Sequence, residues 1–191
     1  MENSSKKKFI INIVIASLVM VVLLLIDIIS KVGVHNYFVN NNIKEILVIE
    51  NFFWIRLTYN TGALFSFLAG SDFGRVILCL LSIAGSIASI WYLVKNFTKL
   101  KLWPRIALYL FIPGCIGNLI DRIGIYKATL INNPDGVIDF LSFRLFGVWD
   151  FAIFNFADMC LTVSVALFII ISFLAKDENP TKNDVEEILN S

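Results

Sequence analysis

Charge is scarce in this chain and no sign dominates it. Charged residues make up 16% of 191 positions, and 16 Lys and Arg stand against 15 Asp and Glu for a net charge of +1. No one-signed field exists to draw in nucleic acid or an acidic ligand, so a nucleic-acid partner is not expected. Histidine occurs once, as His35, beyond the first apolar run and with no serine or cysteine motif beside it. Ser-His-Asp triads and histidine-rich zinc sites are left without support. Cys79, Cys115 and Cys160 lie singly inside hydrophobic runs with no CxxC spacing. That argues against a disulfide frame or thiolate metal site, and each reads as a small buried apolar residue. HExxH, a glycine-rich phosphate loop and an internal repeat are absent as well.

What is abundant is hydrophobic residues, at 58% of the chain, a composition that belongs to bilayer proteins rather than soluble domains. Residues 9–29 form an apolar run broken only by Asn12, Ser17 and Asp27, long enough to cross roughly 30 Å of hydrocarbon. It follows Lys6 to Lys8, yet no small-x-small pattern closes it as a cleaved signal would require. Residues 76–94, 102–120 and 151–174 give three more spans. The second is rich in small residues (Ser82, Ala84, Gly85, Ser86) that let helices approach in lipid, and the third contains Pro113, which is expected to kink it. Four spans put both termini on one side. Lys6 to Lys8, Lys95, Lys99, Lys101, Arg105 and Lys176 cluster there, which makes that side cytoplasmic.

The outer loops, residues 30–75 and 121–150, are too long and apolar for simple connectors. Glu45 to Tyr59 and Val137 to Trp149 are rich in β-branched and aromatic residues, the latter after an Asn-Pro-Asp-Gly turn signal. A small sheet on the outer membrane face is expected. The expectation is a mainly α integral membrane fold of four helices with a small extracytoplasmic β-sheet, forming one domain over residues 1–175, and a polar cytoplasmic tail over 176–191.

Ionisable groups in membrane spans each cost about 2.5–3.5 kcal/mol at a helix centre on insertion scales, so their positions carry information. Asp27 and Lys31 end the first predicted span, Asn118, Asp121 and Arg122 end the third, and Asn155 and Asp158 begin the fourth, all at the outer side. Spacings of three and four give each helix one polar stripe. Such residues serve equally as bundle caps and ion pairs. Asp158 differs, reading as two turns inside its span, roughly 10 Å at 1.5 Å per residue, with no cation nearby in its helix. Asp139 interrupts the strand-like VIDFL, where alternation could turn it to solvent. If the two carboxylates meet, they cannot both ionise, and the pair shares a proton as in aspartic proteases.

Five blocks now fall into a known order: DIISK (Asp27 to Lys31), NTGALF (Asn60 to Phe65), GNLIDR (Gly117 to Arg122), VIDFL (Val137 to Leu141) and FNFAD (Phe154 to Asp158). In these the chain resembles the lipoprotein signal peptidase family, the bacterial membrane aspartyl proteases also called signal peptidase II. Ile28, Leu64, Pro113, Cys115 and Met159 depart from the family pattern, and none replaces an acid. The resemblance implies catalysis by Asp139 and Asp158, with Asn60, Gly62, Asn118, Asp121, Arg122, Asn155, Asp27 and Lys31 orienting or supporting the site. It implies removal of signal peptides from diacylglyceryl-modified prolipoproteins, before the lipid-modified cysteine, in the bacterial cell membrane; a monomer is expected. No metal or organic cofactor is needed for that reaction. A small ion-coupled carrier and a non-catalytic scaffold are the competing readings; neither requires the loop acid Asp139.

Overall fold

The computed structural model describes residues 2–62, 72–132 and 135–177. The Ala63 to Phe65 part of the NTGALF block, Asn133 and Pro134 of the turn signal, and most of the polar tail lie outside the described residues. Helix α1 spans Glu2–Asn40, strands β1 and β2 span Glu45–Ile49 and Phe53–Asn60, α2 spans Asp72–Asn96 and α3 spans Leu102–Ile123. A short 3-10 turn over Lys127–Thr129 leads to β3 (Val137–Leu145), β4 (Trp149–Asp150) and α4 (Phe156–Asp177). Four of these helices are long and apolar enough to cross a membrane: Phe9–Asn40, Phe73–Asn96, Leu102–Ile123 and Phe156–Leu174. The chain is a multi-pass membrane protein, mainly helical with a small antiparallel sheet.

Helix α3 is the centre of the bundle. It packs on α1, α2 and α4, whereas α1 and α2 hardly touch one another. Its glycines explain the closeness to α4: a Cβ on Gly114 would lie 2.9 Å from the Ala157 carbonyl oxygen, and one on Gly117 would meet Asp27 and stand 3.2 Å from the Ala157 Cβ. Small residues at this crossing let the backbones approach where lipid offers no hydrophobic drive. Pro113 sits within α3 without ending it.

The sheet has the order β1-β2-β3-β4. Strands β2 and β3 pair antiparallel with Thr58 opposite Asp139 and Asn60 opposite Val137. Ile138, Phe140 and Leu130 form a buried cluster with Val32 and Val34 of α1 packed against it. This is why α1 continues eleven residues beyond Ile29, the expected end of the first span: its C-terminal third is a support for the sheet. Asp27 and Lys31 are accordingly mid-helix residues rather than terminal ones. His35 belongs to the same support. It is fully buried, its Nε2 lies 3.0 Å from the Ile131 carbonyl oxygen and its Nδ1 2.9 Å from the Tyr59 hydroxyl.

The start of the fourth span is also corrected. Residues 151–155 are apolar but not helical, because the Phe154 backbone bridges to Leu141 of β3, its N–H donating to Leu141 O at 3.0 Å and its carbonyl accepting from Leu141 N at 2.8 Å. Helix α4 therefore begins at Phe156, and Asp158 occupies its first turn instead of lying two turns inside.

Candidate active site

Asn155 caps α4. Its Oδ1 accepts the Asp158 N–H at 3.0 Å while Asp158 Oδ2 accepts the Asn155 N–H at 3.2 Å, a reciprocal capping box that satisfies two donors otherwise orphaned at a helix start. The same cap reaches the sheet, since Asn155 Nδ2 donates to Asp139 Oδ1 at 2.7 Å and to Asn118 Oδ1 at 3.0 Å. One buried amide thus ties Asp158 on α4 to Asp139 on β3. Asn60 Nδ2 donates to Asp139 Oδ2 at 3.1 Å, and Asn118 Nδ2 to Asp158 Oδ1 at 2.7 Å. Each carboxylate receives two N–H donors, and among the described residues neither makes an ion pair.

Asp139 is buried, with 2% of its surface exposed, so strand alternation does not turn it to solvent. Burial, followed by the charge of Asp158, pushes its carboxyl up to about 7, against the smaller opposing effects of the Asn60 and Asn155 hydrogen bonds and Lys31. Asp158 is half-buried at the α4 N-terminus.

Both acids line a cavity of about 370 Å³ together with Asn60, Gly62, Asn118 and Arg122. The rest of its wall is mostly apolar: Val137, Phe151 to Phe154, Met159, Thr162 and Val163. Arg122 donates to the carbonyl oxygens of Asn118 at 3.3 Å and Gly62 at 3.5 Å. It is not the partner of Asp121.

Asp121, Asp27 and Lys31 stand one layer behind. The Lys31 ammonium, fully buried, reaches Asp27 Oδ2 at 2.7 Å, Asp121 Oδ2 at 2.9 Å and Asn118 Oδ1 at 3.2 Å, which accounts for its three N–H donors. Asp27 Oδ1 accepts the Ala157 N–H at 2.9 Å, and Asp121 accepts the Ile138 N–H at 3.3 Å and the Tyr126 hydroxyl. Burial and Asp121 push the Tyr126 phenol well above its ordinary range, so it remains a donor. The expected i,i+4 pair of Asp27 and Lys31 is present, but Asp121 completes it from α3.

Sequence reasoning did not find Tyr126, Gly136 or the apolar wall from Phe151 to Ile153. Gly136 adopts φ of +85° and a Cβ there would lie 2.8 Å from the Asn60 backbone, while the Lys127 ammonium donates to its carbonyl oxygen. Glycine thereby brings the start of β3 against the residue that holds Asp139. The Asn-Pro-Asp-Gly signal marked a turn there but not this contact. No group of three His, Cys, Asp or Glu side chains suited to a metal gathers among the described residues.

Fold and site together define a multi-pass membrane protein whose acid-lined cavity lies between a helical bundle and a small sheet. Residues 19–174 match the family model described as signal peptidase (SPase) II, and the chain belongs to that family of membrane peptidases. It is 35% identical over 165 residues to a lipoprotein signal peptidase of Pseudomonas fluorescens, covering 86% of this chain and 90% of that one. It is 40% identical over 137 residues to one of Streptococcus thermophilus, covering 71% and 77%. A solved structure described as a bacterial membrane enzyme superposes with a TM-score of 0.66 at 28% identity, covering 87% of this chain and 92% of that one.

Proposed function

We propose that this peptidase removes signal peptides from diacylglyceryl-modified prolipoproteins, cleaving before the lipid-modified cysteine with water activated between Asp139 and Asp158. The observation that carries the reading is that Asn155 joins these two acids at the wall of one cavity. Asp139, buried and facing a second carboxylate, holds the shared proton; Asp158, at a helix N-terminus and open to the cavity, is the base. Asp158 takes a proton from water as its oxygen attacks the scissile carbonyl, and Asp139 donates its proton to the carbonyl oxygen. As the tetrahedral intermediate collapses, a proton passes from the dyad to the leaving nitrogen. The cavity suits such a substrate because its lining combines the acids, Asn60 and Arg122 with apolar side chains such as Met159 and Val163 that can accept hydrocarbon. No metal or organic cofactor enters these steps.

The basic flanks of the spans support a topology with both termini in the cytoplasm and the dyad at the outer face of a bacterial cell membrane. Single-cysteine reporters within residues 95–101 should resist an impermeant thiol reagent in intact cells, while reporters at exposed positions near Lys44 and Lys127 should label. The decisive assay is cleavage of a diacylglyceryl-modified precursor by the purified protein in detergent, with exhaustive EDTA treatment leaving the rate unchanged. No cleavage, or cleavage equally fast without the diacylglyceryl group, contradicts the substrate assignment.

A further inference from the structure

A second cavity lies away from the acids, where α1 and α2 diverge over α3. Its volume is about 320 Å³, and its walls are Ile13 to Leu24 on one stripe of α1, Ile90 to Val94 on α2 with Phe97 just beyond its end, and Ile112 to Ile116 on α3. Ser17 is the one polar side chain among them, so water would find no set of partners there. Along α1 the groove runs from Ile13 to Leu24, about 16 Å at 1.5 Å per residue, which is close to half of a roughly 30 Å hydrocarbon core. An apolar lining over a length close to one leaflet's depth suits an extended hydrocarbon chain.

One end of the groove is marked chemically. Phe97 closes it, with the Phe9 ring 5.7 Å away edge to face, and the Arg105 guanidinium lies 5.3 Å from the Phe97 ring centroid. Arg105 Nε donates to the Leu100 carbonyl oxygen at 2.8 Å, and its Nη nitrogens have no hydrogen bond among the described residues. Residues 95–105 carry Lys95, Lys99, Lys101 and Arg105 with no acid. We propose that this groove is a binding site for one acyl chain of an anionic glycerophospholipid, whose phosphate and headgroup rest at Arg105 and Lys99. The lipid fills the wedge between α1 and α2, which share few direct contacts.

The probes are palmitoyl-oleoyl phosphatidylglycerol and its phosphatidylcholine counterpart, mixed equally in vesicles holding the full-length protein, with retained lipid counted by native mass spectrometry after transfer to detergent. The expected result is one retained lipid per chain, phosphatidylglycerol over phosphatidylcholine by at least about tenfold, from two basic residues at the headgroup. Val94→Trp, which fills the groove from its exposed edge, should abolish retention while the melting transition persists; Ser17→Phe serves the same end should Val94→Trp not fold. Lys99→Gln with Arg105→Gln should keep a retained lipid but bring the preference close to one. No retained lipid in the parent protein, equal retention of both lipids, or a preference untouched by the Gln pair would overturn the proposal.

Discussion

Asp27 and Asp121 share the buried Lys31, whereas Asp139 and Asp158, in the same hydrogen-bonded network, share Asn155 and a cavity. Asn118 touches both sets, accepting from Lys31 and donating to Asp158. The first set is closed: its cation matches its acceptors and Ala157, Ile138 and Tyr126 complete its oxygens. The second is open, with amide donors instead of a cation, so its negative charge is solvated but not cancelled. On the proposed reading, identical side chains become a strut or a proton-sharing pair according to whether a lysine or an asparagine stands between them.

The largest effect that would break this division lies in catalysis. Asp158→Asn should lower the cleavage rate by at least about a hundredfold, the lower bound for loss of general base action, and the Asp139→Asn, Asp158→Asn double variant should be scarcely slower, because the two act as a unit. Additive losses, read from the four rates of the cycle, would separate the pair. Next in size is the closed set. Lys31→Met strands two buried carboxylates, a loss of about 3–5 kcal/mol, visible as a sharply lower detergent-phase melting temperature; Lys31→Met in an Asp27→Asn, Asp121→Asn background should recover much of it.

The open set should show the opposite sign. Because the Asp139 carboxyl is raised from 3.8 to about 7 in the fold, the folded state binds its proton more tightly than the unfolded state does. Asp139 therefore costs stability progressively as pH rises from about 4 through about 7, on the order of 4 kcal/mol at the limit. Melting curves of Asp139→Asn should coincide with the parent near pH 4 and lie above it at pH 8. The smallest effect is at the margin of the closed set, where Tyr126→Phe removes one buried donor to Asp121 and should cost about 1–3 kcal/mol in melting, with a proportionate loss of activity only through unfolding.

The sequence showed much of this. Four apolar runs and the aromatic strands carried the architecture, and the five blocks named every acid, amide and lysine of both sets but not Tyr126. What it could not show is which acid meets which partner. Asp121 precedes Arg122 in the chain, yet α3 turns Asp121 inward to Lys31 and leaves Arg122 at the cavity, a choice made by packing against α1. The depth of Asp158 was misread because FAIFN is as apolar as a helix, while the Leu141 bridge that stops helix formation there is a contact across thirteen residues. The extension of α1 was hidden by Lys31 and His35, whose polarity ends a hydropathy run although both are satisfied internally. Phe151 to Ile153 carry no chemical signature, and only the fold makes them a cavity wall.

The most direct test measures cleavage and melting on the same preparation of Asp139→Asn at pH 8, beside Asp121→Asn. An open, proton-sharing pair requires that Asp139→Asn lose at least about a hundredfold in rate while melting above the parent, and that Asp121→Asn melt below the parent with its rate following the folded fraction. Retention of more than about a tenth of the parent rate by Asp139→Asn, well outside the range for a lost acid-base group, would contradict the assignment of catalysis to Asp139 and Asp158.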